Sequence, residues 1–389
     1  MLNFDFYNPT RIAFGKGKVA EIDKLVPAKA RVLIVYGGTS AKKNGTLDEV
    51  KAALGGRYAE EFSGIEPNPT YETLMKAVSK IKANKLDYLL AVGGGSVIDG
   101  TKFVAAAVYA EGDPWEILLQ RGANVKQAMP YGTVLTLPAT GSEMNDGSVI
   151  SRTETASGLH DKLYFTSEHV FPQFSVLDPS KSYTLPPRQL ANGVVDAYTH
   201  IMEQYLTYPV EARVQDRFAE GLLQTLIEVG PKVLANPQDY DTQANFMWVA
   251  TLALNGLIGS GVPSDWSTHM IGHEITALHG LDHAQTLAII LPTMLSVRRE
   301  SKRAKLLQYA ERVWHISEGS EDARIEAAIQ NTRAFFESLS VPTRLSAYNI
   351  SADAIPALLA QLESHGMVKL GEHEDVTLDK CREVLEASI

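Results

Sequence analysis

Apolar residues in the first half of the chain gather into short unbroken runs, each closed by glycine or a loop. Arg31–Tyr36 ends in Gly37-Gly38, and Leu86–Val92 ends in Gly93-Gly94-Gly95. Tyr131–Pro138 opens into a loop, and Phe174–Leu177 stops at Asp178-Pro179. Unbroken runs of this length are how strands buried on both faces look in sequence. Helical spacing fills the intervals, as in Tyr71–Lys82 and Gly100–Ala110. The alternation predicts an open, doubly wound parallel sheet, whose ligands bind at the carboxyl ends of the strands.

From Leu185 onward the strand pattern stops. Gln189–Tyr205, Ala212–Val229, Asn245–Ile258, Ser267–His279 and Arg303–Ser317 all carry helical spacing. An α/β domain over 1–183 and an all-α domain over 184–389 are therefore expected, divided where Pro179, Pro186 and Pro187 punctuate the chain. A chain of 389 residues agrees with two domains, since single cores stop growing well below that length. The longest apolar stretch, Phe246–Pro263, is broken by Thr251, Asn255, Gly256, Gly259 and Ser260, and reads as buried helix rather than a membrane span.

Charge and cysteine usage narrow the partners. A net charge of −10 argues against nucleic acid, which needs clustered Lys and Arg. The one cysteine, Cys381, excludes a disulfide framework and any multi-cysteine metal site. The opening residues show no basic segment followed by an apolar run, so the cytoplasm is the expected compartment.

Two glycine turns suggest a nucleotide. In Ala91–Lys102 a strand runs through Gly93-Gly94-Gly95-Ser96 into a helix, which lets backbone N–H groups approach a pyrophosphate with no Cβ in the way. The sequence is not GxGxxG, so an ordinary Rossmann enzyme is not implied. The earlier turn, Gly37-Gly38-Thr39-Ser40, lacks the acidic residue that NAD enzymes place against the ribose 2′-hydroxyl, and Lys42 and Lys43 follow it. A 2′-phosphate would meet no carboxylate there, which favours NADP(H). Thr39-Ser40 acting only as a helix cap is the plainer alternative. A third loop, Pro138–Glu143, offers Thr140 and Ser142 at the mouth of the sheet, either beside a nicotinamide or as a further cap.

Acid and imidazole spacing suggests a metal. Asp196 and His200 stand four apart on a helix that is apolar around most of its circumference, where a buried Asp facing a His needs compensating charge. Four of the ten histidines fall between His269 and His283, with His269/His273 and His279/His283 also four apart. One carboxylate oxygen with imidazoles suits Zn²⁺ or Fe²⁺. Spacing alone does not choose among His269, His273, His279 and His283. The HExxH motif is absent, because Ala277 follows His273-Glu274 where the second histidine belongs.

These motifs together, Gly93–Asp99, Pro138–Glu143, Asn192–His200 and Gly272–Ala284, resemble the metal-dependent "iron-containing" alcohol dehydrogenases (group III) over essentially the whole chain. The resemblance implies a dehydroquinate synthase-like architecture with the active site in the cleft between the two domains. It implies one divalent ion, zinc or iron, on Asp196, His200, His269 and His283, with His273 beside it as a substrate, nicotinamide or proton contact. It places the pyrophosphate of NADP(H) on Gly94, Gly95 and Ser96, with Asp99, Thr140 and Ser142 nearby, and the 2′-phosphate near Gly37, Gly38 and Ser40. It also implies a homodimer, with Phe4–Phe14 as a strand crossing to the partner.

The expected reaction is reduction of an aldehyde to a primary alcohol. The rivals sharing the architecture are a polyol or glycerol dehydrogenase and a dehydroquinate-synthase-like lyase. The lyase needs Lys and Arg for a phosphorylated, carboxylated substrate. Asp196–Tyr205 and Asp265–Ala284 contain neither, which favours an uncharged aldehyde.

Overall fold

The apolar runs become the centre of one parallel sheet. The chain forms strands β1 (Arg11–Phe14), β2 (Arg31–Tyr36), β3 (Tyr58–Phe62), β4 (Tyr88–Gly94), β5 (Tyr131–Leu137), β6 (Gly147–Arg152), β7 (Asp161–Thr166) and β8 (Phe174–Leu177). Six of them pair in parallel in the order β1-β8-β5-β4-β2-β3, while β6 and β7 make a separate antiparallel pair. The computed structural model describes residues 1–153 and 161–389.

Helices α1 (Ile22–Leu25), α2 (Ser40–Lys43), α3 (Thr46–Leu54), α4 (Tyr71–Asn84), α5 (Gly95–Ala107) and α6 (Glu116–Leu119) lie between the strands in sequence. Side chains alternate across a strand, so β2 sends Val32 and Ile34 to one face and Leu33 and Val35 to the other. The first pair packs with Ile22 of α1 and with Leu47, Val50 and Leu54 of α3. The second packs with Leu74, Val78 and Ile81 of α4 and with Ile98 and Phe103 of α5. Cover on both faces is why these strands read as unbroken apolar runs.

Strand order fixes where a ligand can enter. From β2 the chain moves outward to β3, then returns past β2 to form β4 on its other side. The direction of winding therefore reverses between β2 and β4, whose register pairs Tyr36 with Val92. That reversal opens a crevice beyond the carboxyl ends of these two strands, and both glycine turns sit there.

The second half is helical: α7 (Pro187–Tyr205), α8 (Arg213–Ala235), α9 (Tyr240–Ala253), α10 (Ser267–His279), α11 (His283–Val297), α12 (Arg303–Arg312), α13 (Glu321–Ser338), α14 (Ile355–Ser364) and α15 (Leu378–Ala387). The expected helix Asn245–Ile258 starts earlier and ends earlier, because Gly256 adopts φ 89°. The expected Arg303–Ser317 ends at Arg312, with His315 left-handed beyond it. Two compact units result. One holds Tyr7–Leu185 with Pro237–Thr251, and the other holds Met1–Phe6, Pro186–Asn236 and Leu252–Ile389. Pro237–Thr251, most of α9, thus belongs with the sheet, although a single cut near 183/184 would put it with the helices. Met247 joins the sheet's apolar core, and Thr251 Oγ1 donates to buried Glu143 at 2.5 Å. Of the expected strand Phe4–Phe14 only Arg11–Phe14 is extended, and it pairs with β8 of its own chain.

In the helical unit, one buried cation ties the end of α7 to the start of α10. The Lys302 ammonium donates to Leu206 O at the C-terminus of α7 (2.6 Å) and to Glu372 Oε1 (2.7 Å), and lies 2.8 Å from Asp265 Oδ2. Asp265 Oδ1 in turn accepts the Ser267 N–H that opens α10, at 3.0 Å. Burial alone would raise the Asp265 carboxyl, but the adjacent ammonium overrides it and holds the group below the usual range. Lys302→Met leaves two buried acids without their counter-charge. We expect a loss of about 3–5 kcal/mol in unfolding free energy by denaturant titration; a loss under ~1 kcal/mol would show that the ammonium is not what secures this junction.

Candidate functional site

The metal candidates sit on three helix segments of the helical unit. Nearly every residue of α7 from Leu190 on is buried, so the stripe Asp196, His200 and Glu203 lies out of water. The carboxylate of Asp196 and the imidazoles of His200 and His269 bring candidate ligand atoms within 4.8 Å of one another. His200 Nε2 lies 3.7 Å and His283 Nε2 3.8 Å from the same Asp196 Oδ1. The rings of His200 and His269 stack with centroids 4.7 Å apart, and His283 tilts against His269 at 5.3 Å.

Each side chain is aimed by its local structure. His269 occupies the first turn of α10, which begins after Trp266 in a left-handed conformation (φ 62°). His283 is the first residue of α11. Gln285 Oε1 accepts the Asp282 N–H at 3.0 Å in a capping box, and Asn192 of α7 donates to Asp282 Oδ2 at 2.7 Å. His273 lies one turn beyond His269, 6% exposed, its ring centroid 5.2 Å from that of His283. His279 is exposed at the last turn of α10, away from the cluster. The four histidines that spacing could not separate thus divide into two in the cluster, one beside it and one outside.

The donor set fits a cation. One carboxylate and three imidazoles converge, and His269 Nε2 is buried with no hydrogen-bond partner among the described residues. Burial, with the neighbouring His269, pushes the His200 imidazole well below its usual range, so it stays neutral and able to donate a lone pair. Ligand atoms around a tetrahedral ion lie ~3.4 Å apart, and the separations of 3.7 and 3.8 Å approach that value.

The sequence reading missed Glu203. Its carboxylate accepts the Thr268 N–H at 2.6 Å and the His269 N–H at 3.3 Å, and also pairs with His269 Nδ1. The signal was present, since Asp196, His200 and Glu203 follow i, i+4, i+7 on one helix face. Trp266 was also missed. It is partly exposed, with its ring edge-to-face on His200 and His269 at 6.2 and 5.2 Å.

In the sheet unit the glycines are required by packing. A Cβ on Gly93 would meet Val97 at 2.5 Å, one on Gly94 would meet Leu137 at 2.9 Å, and one on Gly95 would meet Thr140 at 2.4 Å. α5 starts at Gly95 with no side-chain cap from Gly94, and Ser96 stays partly exposed in its first turn. At the other turn Gly37 is partly exposed, while Gly38, Thr39, Ser40, Lys42 and Lys43 are exposed. Thr39 makes no side-chain cap to the short α2, so the plain capping alternative is not what the threonine does.

Asp99 and Ser142 belong to a buried network. Ser142 Oγ donates to Asp99 Oδ1 (2.5 Å) and accepts from Lys102 Nζ (2.8 Å). Asp99 Oδ2 accepts the Val149 N–H (2.9 Å), and Lys102 also donates to Asn145 Oδ1 and Gly147 O at 2.7 Å each. This network holds the loop from which the partly exposed Thr140 projects. Lys102 went unread because a lysine inside a helix ordinarily signals a solvated face.

Burial depresses the Lys102 ammonium from 10.5 to about 8, against the pull of Asp99, Asp146 and Glu143. The unfolded chain therefore binds this proton more tightly, and stability contributed by the group rises as pH climbs from about 8 toward 10.5. We expect Lys102→Met to melt below the parent at pH 7.5, and the gap in midpoint to widen by pH 10. A gap that narrows over that interval would contradict the assignment.

Comparison with known proteins assigns the architecture to a class. The iron-containing alcohol dehydrogenase model matches residues 9–179, and the C-terminal model of the same family matches 190–389. The chain belongs to the iron-containing alcohol dehydrogenase family. It is 62% identical to the NADPH-dependent aldehyde reductase YqhD of Escherichia coli K12, over all of both chains. The crystal structure of E. coli YqhD superposes with a TM-score of 0.98 at 61% identity, covering 100% of this chain and 99% of that one. A probable NADH-dependent butanol dehydrogenase 1 of Bacillus subtilis is 38% identical, also over the whole of both chains.

Proposed function

We propose that this protein reduces aldehydes to primary alcohols with NADPH and one divalent metal ion, iron in this family. The observation that carries the reading is the buried cluster of Asp196, His200 and His269, with half-buried His283 3.8 Å from Asp196, in segments without Lys or Arg. A carboxylate held among imidazoles out of water is a donor set that suits a divalent cation. The 62% identity to an NADPH-dependent aldehyde reductase supports the same activity and cofactor. Zinc is compatible with the same donors.

When bound, the ion supplies a Lewis acid for the carbonyl oxygen and NADPH supplies the hydride. The chain's own residues do the rest. Asp196, His200, His269 and His283 hold the ion, and Trp266 gives its surroundings an apolar wall. His273 is the proposed contact that steers the substrate or nicotinamide and passes a proton to the alcohol oxygen. Gly94, Gly95 and Ser96 take the pyrophosphate on the first turn of α5, with Thr140 toward the nicotinamide and Asp99 and Ser142 holding that loop. Gly37, Gly38 and Ser40 receive the 2′-phosphate.

A homodimer is the proposed assembly: β1 lies at the edge of the sheet, and Phe4, Phe6 and Tyr7 expose large apolar side chains. The single buried cysteine suits a reducing compartment, and the cytoplasm is the proposed location.

Elemental analysis of the purified protein, run beside NADPH and NADH oxidation against a panel of short aldehydes, tests the central reading. His269→Ala and Asp196→Ala should fall from about one ion per chain to background and lose at least ~10³ in butanal turnover. Metal-free variant that reduces butanal at the parent rate would end it. Cofactor choice has a separate test. Gly38→Asp places a carboxylate against the 2′-phosphate with room for the side chain, since nothing lies within 4 Å of a Cβ there. About 1.4 kcal/mol of repulsion should raise the NADPH Kd roughly tenfold and leave NADH binding unchanged. Equal effects on both cofactors would place the 2′-phosphate elsewhere.

A further inference from the structure

We infer that Glu203 is a positioning residue for the metal, acting through His269, and that it selects which nitrogen of that imidazole faces the ion. The inference rests on the metal reading above and adds a residue to it. Glu203 is 3% exposed on α7, on the same face as Asp196 and His200. Its Oε1 accepts the Thr268 N–H at 2.6 Å. Its Oε2 accepts the His269 N–H at 3.3 Å and contacts His269 Nδ1. One carboxylate thus caps the first turn of α10 from outside the helix and grips the imidazole that the same turn carries.

The chemistry of this contact is one-directional. A carboxylate only accepts, so the shared proton resides on Nδ1 and the lone pair on Nε2. Nε2 is buried with no hydrogen-bond partner among the described residues, and His269 brings a ligand atom within 4.8 Å of those of Asp196 and His200, so Nε2 is left as the nitrogen for the ion. A carboxylate on the far nitrogen of a metal-binding imidazole fixes ring orientation and tautomer and strengthens the lone pair. The remaining fixtures hold Glu203 itself: its backbone O accepts the Asp265 N–H at 2.9 Å, and Asp265 is held by buried Lys302.

Glu203→Gln isolates the effect because it keeps shape and changes one acceptor into a donor. With the amide oxygen on the Thr268 N–H, the amide NH₂ faces Nδ1 and favours the opposite tautomer, with its proton on Nε2. With the amide flipped, NH₂ opposes the Thr268 N–H. Either arrangement weakens the site.

The test is titration of metal-stripped full-length protein with Co²⁺ and with Zn²⁺ against a competing chelator, with visible absorption of the Co²⁺ form recorded. Glu203→Gln should bind both ions about 10–100-fold more weakly and shift the Co²⁺ spectrum. A parent protein that binds neither ion would overturn the metal reading itself. A parent that binds, beside a folded variant of equal affinity and identical spectrum, would overturn this inference alone. Nitrogen-15 NMR of the histidines in metal-free parent needs no variant. We expect His269 protonated on Nδ1, and a resonance showing the proton on Nε2 sinks the proposal whatever the variant does.

Discussion

The helical unit is organised around acid buried along one face of α7. Two carboxylates, Asp196 and Glu203, stand on a helix with almost no access to water, and an isolated buried carboxylate is costly. They are accommodated in different ways. Glu203 is neutralised by a helix N-terminus, taking the first-turn N–H groups of α10 and the Nδ1 of His269. Asp196 faces imidazoles, with His200 Nε2 at 3.7 Å and His283 Nε2 at 3.8 Å from its Oδ1, and burial pushes His200 well below its usual range. The first acid is held by a helix N-terminus, and the second lies among imidazoles.

The sheet unit meets a different constraint with similar economy. Glycine takes the positions where β2 and β4 end. At the end of β4 the glycines are demanded from behind, where Val97, Leu137 and Thr140 leave no space for a Cβ at Gly93, Gly94 and Gly95. Loop position is then set from inside, by a lysine that enters the core to reach Ser142, Asn145 and Gly147. Access outside and rigidity inside come from one turn.

Legibility in the sequence followed burial. β2, β4, β5 and β8 could be read because both their faces are covered, which keeps charge out of their interiors and leaves only small hydroxyls such as Thr133 and Ser175, bonded to each other at 2.8 Å. β3, Tyr-Ala-Glu-Glu-Phe, could not, since as an edge strand it carries two acids that pair with Lys51 and Lys80. The helix α9 was legible as a helix, but its attachment to the sheet depends on Met247 and Thr251 finding partners distant in sequence, which no local pattern records. Asp196 and His200 stood out through spacing on an apolar helix, whereas His269 and His283 needed the family resemblance to separate them from His273 and His279. Glu203 lay in plain view as the next step of the same stripe. It went unread because a carboxylate looks like a ligand only when its partner is known, and its partner begins 64 residues later at Ser267.

The placement of cations bears on what the protein can accept as substrate. Lys102 and Lys302 are both buried, and each is committed to acids, hydroxyls or carbonyls of its own unit. Arg298 is held by Asp375 at 2.6 Å. Each of these cations is committed to its own partners, and the stretches Asp196–Tyr205 and Asp265–Ala284 supply none of their own; Arg188, at the start of α7, lies 3.4 Å from Asp282. A phosphorylated or carboxylated substrate would need a counter-charge that Asp196–Tyr205 and Asp265–Ala284 do not carry. A neutral carbonyl has no such requirement. The charge pattern therefore selects against the lyase chemistry that shares this architecture and for reduction of a simple aldehyde, independently of any similarity to a known protein.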